Sequence, residues 1–138
     1  LHRSLRRQRQ MCIRDSDKAI EQFEKEGGVA GRNTRYSENC RTLVSGMTDL
    51  GFEPLLPPER QAPIIVTFRM PADPNFDFQT FYDRVKERGY ILYPGKLTVA
   101  PSFRVGCIGH LQPADMQSAV DAMKAVLVEM GVACDKPA

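Results

Sequence analysis

The chain has 138 residues, 42% hydrophobic and 26% charged, with a net charge of +2, which suits one modest soluble domain with its own core. No apolar run approaches the roughly 20 residues of a bilayer span and no apolar leader opens the chain, so membrane-spanning and secreted roles are not expected. Four scattered cysteines without a C-x-x-C pair, and only two histidines, predict free thiols in a reducing cytoplasm and no metal site.

Residues 1–16, LHRSLRRQRQMCIRDS, carry five arginines and one acid. The remaining 14 basic and 16 acidic residues leave residues 17–138 at about −2, so the positive balance comes from this arm. A basic arm suits nucleic acid or an anionic membrane. This one lacks an apolar stripe and any aromatic on which a base would stack. The string RRQRQMCIRDS also resembles the translated read-through of a sequencing adapter. Residues 1–16 are therefore read as a non-native or disordered basic arm, and 17–138 as the domain.

Asp17 to Glu26 predicts a short helix ended by Gly27-Gly28. A longer helix follows from about Asn33 to Leu50, its stripe being Tyr36, Cys40, Leu43, Val44, Met47 and Leu50. Gly51 is placed to cap it. Phe52 to Leu56 reads as extended and, because of its prolines, as an edge. Pro63 to Phe68 is the clearest strand, nearly continuous in apolarity and so expected to be central.

Asp77 to Arg88 predicts a helix with Phe78, Phe81, Tyr82 and Val85 facing inward and Gly89 ending it. Tyr90 to Tyr93 reads as a strand closed by Pro94-Gly95, and Phe103 to Gly106 as another. The last helix starts at Pro113, a favoured first position, with Met116, Ala119, Val120, Met123, Leu127 and Met130 inward and Gly131 at its end. The sum is an α/β (α+β) domain: a small mixed or antiparallel sheet covered by helices.

No nucleophile triad, paired carboxylates, Walker loop or G-x-G-x-x-G motif is present. Two strand-end segments remain. In Tyr93-Pro94-Gly95-Lys96 a rigid turn lets backbone approach a ligand closely, and Lys96 is either a point charge for a phosphate-like group or a solvated surface lysine. In SFRVGCIGH, residues 102–110, alternation puts Phe103 and Val105 on one face and Arg104 on the other. Gly106 and Gly109 then leave a recess beside the guanidinium. Arg104 either meets a small anion there through its planar fork or makes a structural salt bridge to an acid such as Glu53 or Asp73. Cys107 is read as a small packing residue.

Three segments, EGGVAGRNTRYSENCRTLVSGMTDLGFEPLLP, PADPNFDFQTFYDRVKERGYILYPGK and FRVGCIGHLQPADM, carry a resemblance that covers about Asp17 to Met130. The chain resembles the C-terminal small domain of the 2-aminoethylphosphonate–pyruvate aminotransferases, within class V of the fold-type I enzymes that use pyridoxal 5′-phosphate. The paired YPGK and FR-hydrophobic-G-x-IG elements are its most specific part.

The resemblance implies transfer of an amino group from 2-aminoethylphosphonate to pyruvate, giving phosphonoacetaldehyde and L-alanine in bacterial phosphonate catabolism. It implies a homodimer, with Arg104 as the substrate-anion ligand. It also implies a Schiff-base lysine in a large domain preceding residue 17, so that no catalytic residue is expected here, Lys96 is not that lysine, and this chain alone is inactive. Separation from the large domain is expected to expose an apolar patch. The alternatives are another class V enzyme of the alanine– or serine–glyoxylate type, and a small binding module with a basic nucleic-acid arm.

Overall fold

The computed structural model describes residues 2–94 and 100–133. The chain divides into two units, one up to Thr34 and one from Arg35 onward. The first holds helix α1 (His2–Lys25) and the beginning of helix α2 (Gly28–Asp49). The helix predicted to start at Asp17 thus starts at His2, because Leu, Arg and Gln are good helix formers and nothing in the arm breaks the helix. Gly27 and Gly28, at φ of +97° and +65°, make the joint to α2. Arg32 closes it locally, pairing with Glu26 at 2.9 Å and lying over the Phe23 ring.

The second unit holds the rest of α2, a one-turn 3-10 helix (Pro58–Arg60), strand β1 (Ile65–Arg69), helix α3 (Phe78–Glu87), strands β2 (Tyr93–Pro94) and β3 (Ser102–Gly106), and helix α4 (Pro113–Met130). The strands form one antiparallel sheet in the order β1-β3-β2. The central strand is therefore β3, the strand of Arg104, and not the more apolar β1. Segment 53–55 lies along the outer edge of β1: Pro54 bridges Phe68, Leu55 N–H donates to Thr67 O, and Arg69 N–H donates to Glu53 O. The strand expected over Tyr90–Tyr93 shrinks to Tyr93–Pro94. Leu92 is buried, but pairing with β3 begins only at Tyr93.

Local chemistry accounts for the helix ends. Asp77 accepts from the Thr80 N–H and caps α3, and Gly89 closes it at φ +91°. Gln112 and Asp115 form a capping box at the start of α4, Pro113 follows at the first position, and Gly131 ends the helix in the left-handed region.

The helices cover one sheet face. The core is built on aromatic rings. Phe52, Phe68, Phe81 and Phe103 are buried, and Phe52 stands edge-on to Phe103 with centroids 5.4 Å apart. Leu43 and Met47 from α2, and Met123 and Leu127 from α4, complete it. At Gly46 an added Cβ would lie 2.7 Å from a Val120 methyl, so glycine is what lets α2 and α4 approach. Among the described residues the opposite sheet face is partly open: Tyr93 and Ile65 are exposed, Thr67 and Arg104 half-buried and Ser102 buried. Ile64 and Ile65, at 49% and 38% exposure, stay accessible, which contradicts the two-sided burial expected from the apolar run.

Candidate functional site: an arginine at the centre of the open sheet face

Strand β3 alternates as its residues require. Phe103 and Val105 enter the core, and Arg104 projects from the other face, half-buried. Its cross-strand partners are Thr67 on β1 and Tyr93 on β2. Residues paired this way share a face, so threonine, arginine and tyrosine form a row across the sheet. Tyr93 is 57% exposed at the end of that row. Ser102 and Gly106 flank Arg104 along β3 on the same face.

The Arg104 Nε is buried and has no hydrogen-bond partner, and neither has the Ser102 hydroxyl. Both acids considered as structural partners are engaged elsewhere. Glu53 pairs with Arg69 at 3.4 Å. Asp73 accepts from the Asn75 and Ala133 backbone N–H groups. Among the described residues no carboxylate pairs with Arg104. A buried guanidinium N–H without a partner is costly, and this one sits beside open space: a Cβ at Gly106 would meet nothing within 4 Å. The arrangement can receive a small anion through a guanidinium fork. Gly95 and Lys96, the other two positions singled out, lie outside the described residues.

Two residues that sequence reasoning missed hold the turn after β3. Arg35 donates through Nη1 to the carbonyls of Gly109 and Leu111. Asn39, one helical turn on, donates through Nδ2 to those of Cys107 and Leu111 at 3.1 and 3.0 Å. Asn39 is fully buried, and two carbonyls on its nitrogen fix which way its amide points. Gly109 makes the turn at φ +100°, where L side chains are strained. An asparagine one turn after an arginine on an otherwise apolar helix face was the available signal.

Cys40 on α2 and Cys107 just after β3 are both buried, and their thiols are hydrogen-bonded to each other. That contact lowers the pKa of Cys40, while the same hydrogen bond and burial push Cys107 up. Cys12, Cys40 and Cys107 are free thiols. Cys40 also lines a groove of about 820 Å³ between α2 and the segment 53–63, walled by Val44, Leu55 and Pro57 with Arg41 and Arg69 among its polar groups.

Among the described residues no group of His, Cys, Asp and Glu could hold a metal ion, and no helix is long and apolar enough to cross a membrane. Of the lysines, Lys96 and Lys136 lie outside the described residues. Lys18 and Lys25 pair with Glu21 on α1, and Lys86 and Lys124 are exposed.

No family model matches the chain. Curated relatives do. The 2-aminoethylphosphonate–pyruvate transaminase 2 of Burkholderia lata is 57% identical over 116 residues, which is 84% of this chain and 31% of that protein. The transaminase of the same name from Cupriavidus necator is 56% identical over 119 residues, 86% of this chain and 32% of that protein. The one from Pseudomonas aeruginosa is 54% identical over 114 residues, 83% and 31%. The chain is thus homologous, over most of its own length, to a segment of these enzymes, and spans about a third of theirs.

Solved structures agree on the fold. A ureidoglycine–glyoxylate aminotransferase from Bacillus subtilis superposes with a TM-score of 0.76 at 16% identity, over 86% of this chain and 30% of that one. An aspartate aminotransferase from Thermus thermophilus gives 0.60 at 17% identity, over 70% and 27%. The α/β architecture is that of a segment of the aminotransferases.

Proposed function

We propose that residues 17–138 are the C-terminal small domain of a 2-aminoethylphosphonate–pyruvate transaminase, with Arg104 as ligand for the anionic group of its substrates. The whole enzyme moves the amino group of 2-aminoethylphosphonate to pyruvate, giving phosphonoacetaldehyde and L-alanine. In this reading it is a cytoplasmic homodimer that uses pyridoxal 5′-phosphate, and it engages neither membrane nor nucleic acid.

The observation that carries the anion role is the buried Arg104 Nε without a hydrogen-bond partner, on a half-buried side chain of the central strand. Arg104 binds and orients the acid. Thr67 and Tyr93 flank it in register. Arg35 and Asn39 hold the turn that ends its strand. The cofactor supplies the electron sink for amino transfer. The lysines described here do not fit it, so its site belongs to the two-thirds of the relatives that this chain does not cover. The glyoxylate-specific alternative is less well supported, because its representative shares only 16% identity against 57% for the phosphonate enzyme.

A chimera tests the reading. Residues 17–138 replace the matching segment of the Burkholderia lata transaminase, and activity is assayed with 2-aminoethylphosphonate and pyruvate. Activity is expected. Arg104→Ala in the active chimera is expected to cost about 2–5 kcal/mol in kcat/KM, the loss of a charge-assisted bidentate pair. Arg104→Lys keeps the charge without the fork and falls between. A folded but inactive chimera would refute the domain assignment. An active one indifferent to Arg104→Ala would refute only the anion role.

A further inference from the structure

We infer that Cys40 and Cys107 form a peroxide-reactive pair, in which Cys40 is attacked from the groove and Cys107 converts it to a disulfide joining α2 to the end of β3. Neither the anion site nor amino transfer uses these thiols.

Three observations carry the inference. The two side chains are neighbours in the core and interact, although 67 positions separate them in sequence. Their backbones are tied at the same place: Asn39, beside Cys40, donates to the Cys107 carbonyl at 3.1 Å, and the Cys107 N–H donates to Ile64 O at 2.8 Å. Access is unequal. Cys40 keeps 8% exposure and lines the groove, whereas Cys107 is at 0%.

The chemistry needs one oxidant, a hydroperoxide. The Cys40 thiolate attacks one peroxide oxygen, the O–O bond breaks, and Cys40 becomes a sulfenic acid as hydroxide leaves. The Cys107 sulfur then displaces the sulfenic oxygen, the S–S bond forms, and water departs with the Cys107 proton. Two electrons pass from the two sulfurs to the peroxide. Because the bond closes a long loop, the oxidised chain is expected to melt at a higher temperature than the reduced one.

The test uses the full chain carrying Cys12→Ser and Cys134→Ser, so that only the pair can react, and dilute hydrogen peroxide. Intact mass is expected to fall by about 2 Da. A non-reducing digest should join the Cys40 and Cys107 peptides, and dithiothreitol should reverse both changes. Adding Cys107→Ser should leave a sulfenic acid on Cys40 that a 1,3-diketone traps. A second measurement needs no pair variant: limited iodoacetamide should label Cys40 before Cys107. The inference is overturned if peroxide leaves the mass unchanged while the urea-unfolded chain reacts. It is equally overturned if oxygen is added without a cross-link, or if Cys107 is labelled first.

Discussion

The two faces of one small sheet are made by alternate residues of the same strands, yet they obey different rules. On the covered face Val66, Phe68, Phe103 and Val105 meet the helices and are almost completely removed from water. On the open face Thr67, Arg104 and Tyr93 stand in register, and a buried guanidinium nitrogen is left without a partner. The first face is optimised within this chain. The second is incomplete within it, as expected of a surface whose complement is a ligand or another domain. Neighbours in sequence can therefore answer to stability and to binding separately.

Substitutions on the two faces should separate these roles. Phe103→Ala removes a ring in contact with Phe52, Phe68 and Phe81 and is expected to cost about 3–5 kcal/mol, read from the urea midpoint. Gly46→Ala forces a methyl against the stiff Val120 side chain, with about 1–3 kcal/mol expected. Reducing Val120 to Ala in the same chain should recover much of that loss.

Arg104→Leu, one residue from Phe103, should leave stability within about 0.5 kcal/mol or raise it, since it removes an unsatisfied buried donor and breaks no pair. A loss as large as that of Phe103→Ala would mean that Arg104 belongs to the core after all.

A pH-dependent effect is expected at the Asp77 cap. Its hydrogen bond from the Thr80 N–H holds the carboxyl below its usual pKa. Its stabilisation is therefore complete above the unfolded value of about 3.9 and fades as pH falls through the folded one. The Tm difference between the wild type and Asp77→Ala should be present at neutral pH and close in stronger acid.

Much of this was legible in the sequence because it is local. Asp77, Gly89, Pro113 and Gly131 mark helix ends by their own backbone chemistry, and strict alternation put Arg104 opposite Phe103. What escaped depends on distant partners. The run Pro63–Phe68 suggested a central strand because apolarity reports burial without saying by what. Here β3 took the centre, and Ile64 and Ile65 were left uncovered. Arg35 and Asn39 left only a faint signal, two polar residues one turn apart on an apolar face, for the same reason: their partners are carbonyls some 70 positions away, and backbone acceptors leave no mark on residue type. The helix through residues 2–16 escaped for another reason, since the composition of a charged arm hides a backbone preference that needs no apolar stripe.

The sheet carries a proline at each margin, Pro54 bridging the outer side of β1 and Pro94 in β2. A proline nitrogen has no hydrogen to offer an incoming strand. Another molecule approaching either rim therefore meets an interrupted ladder, and polymerisation by strand addition is hindered at both ends.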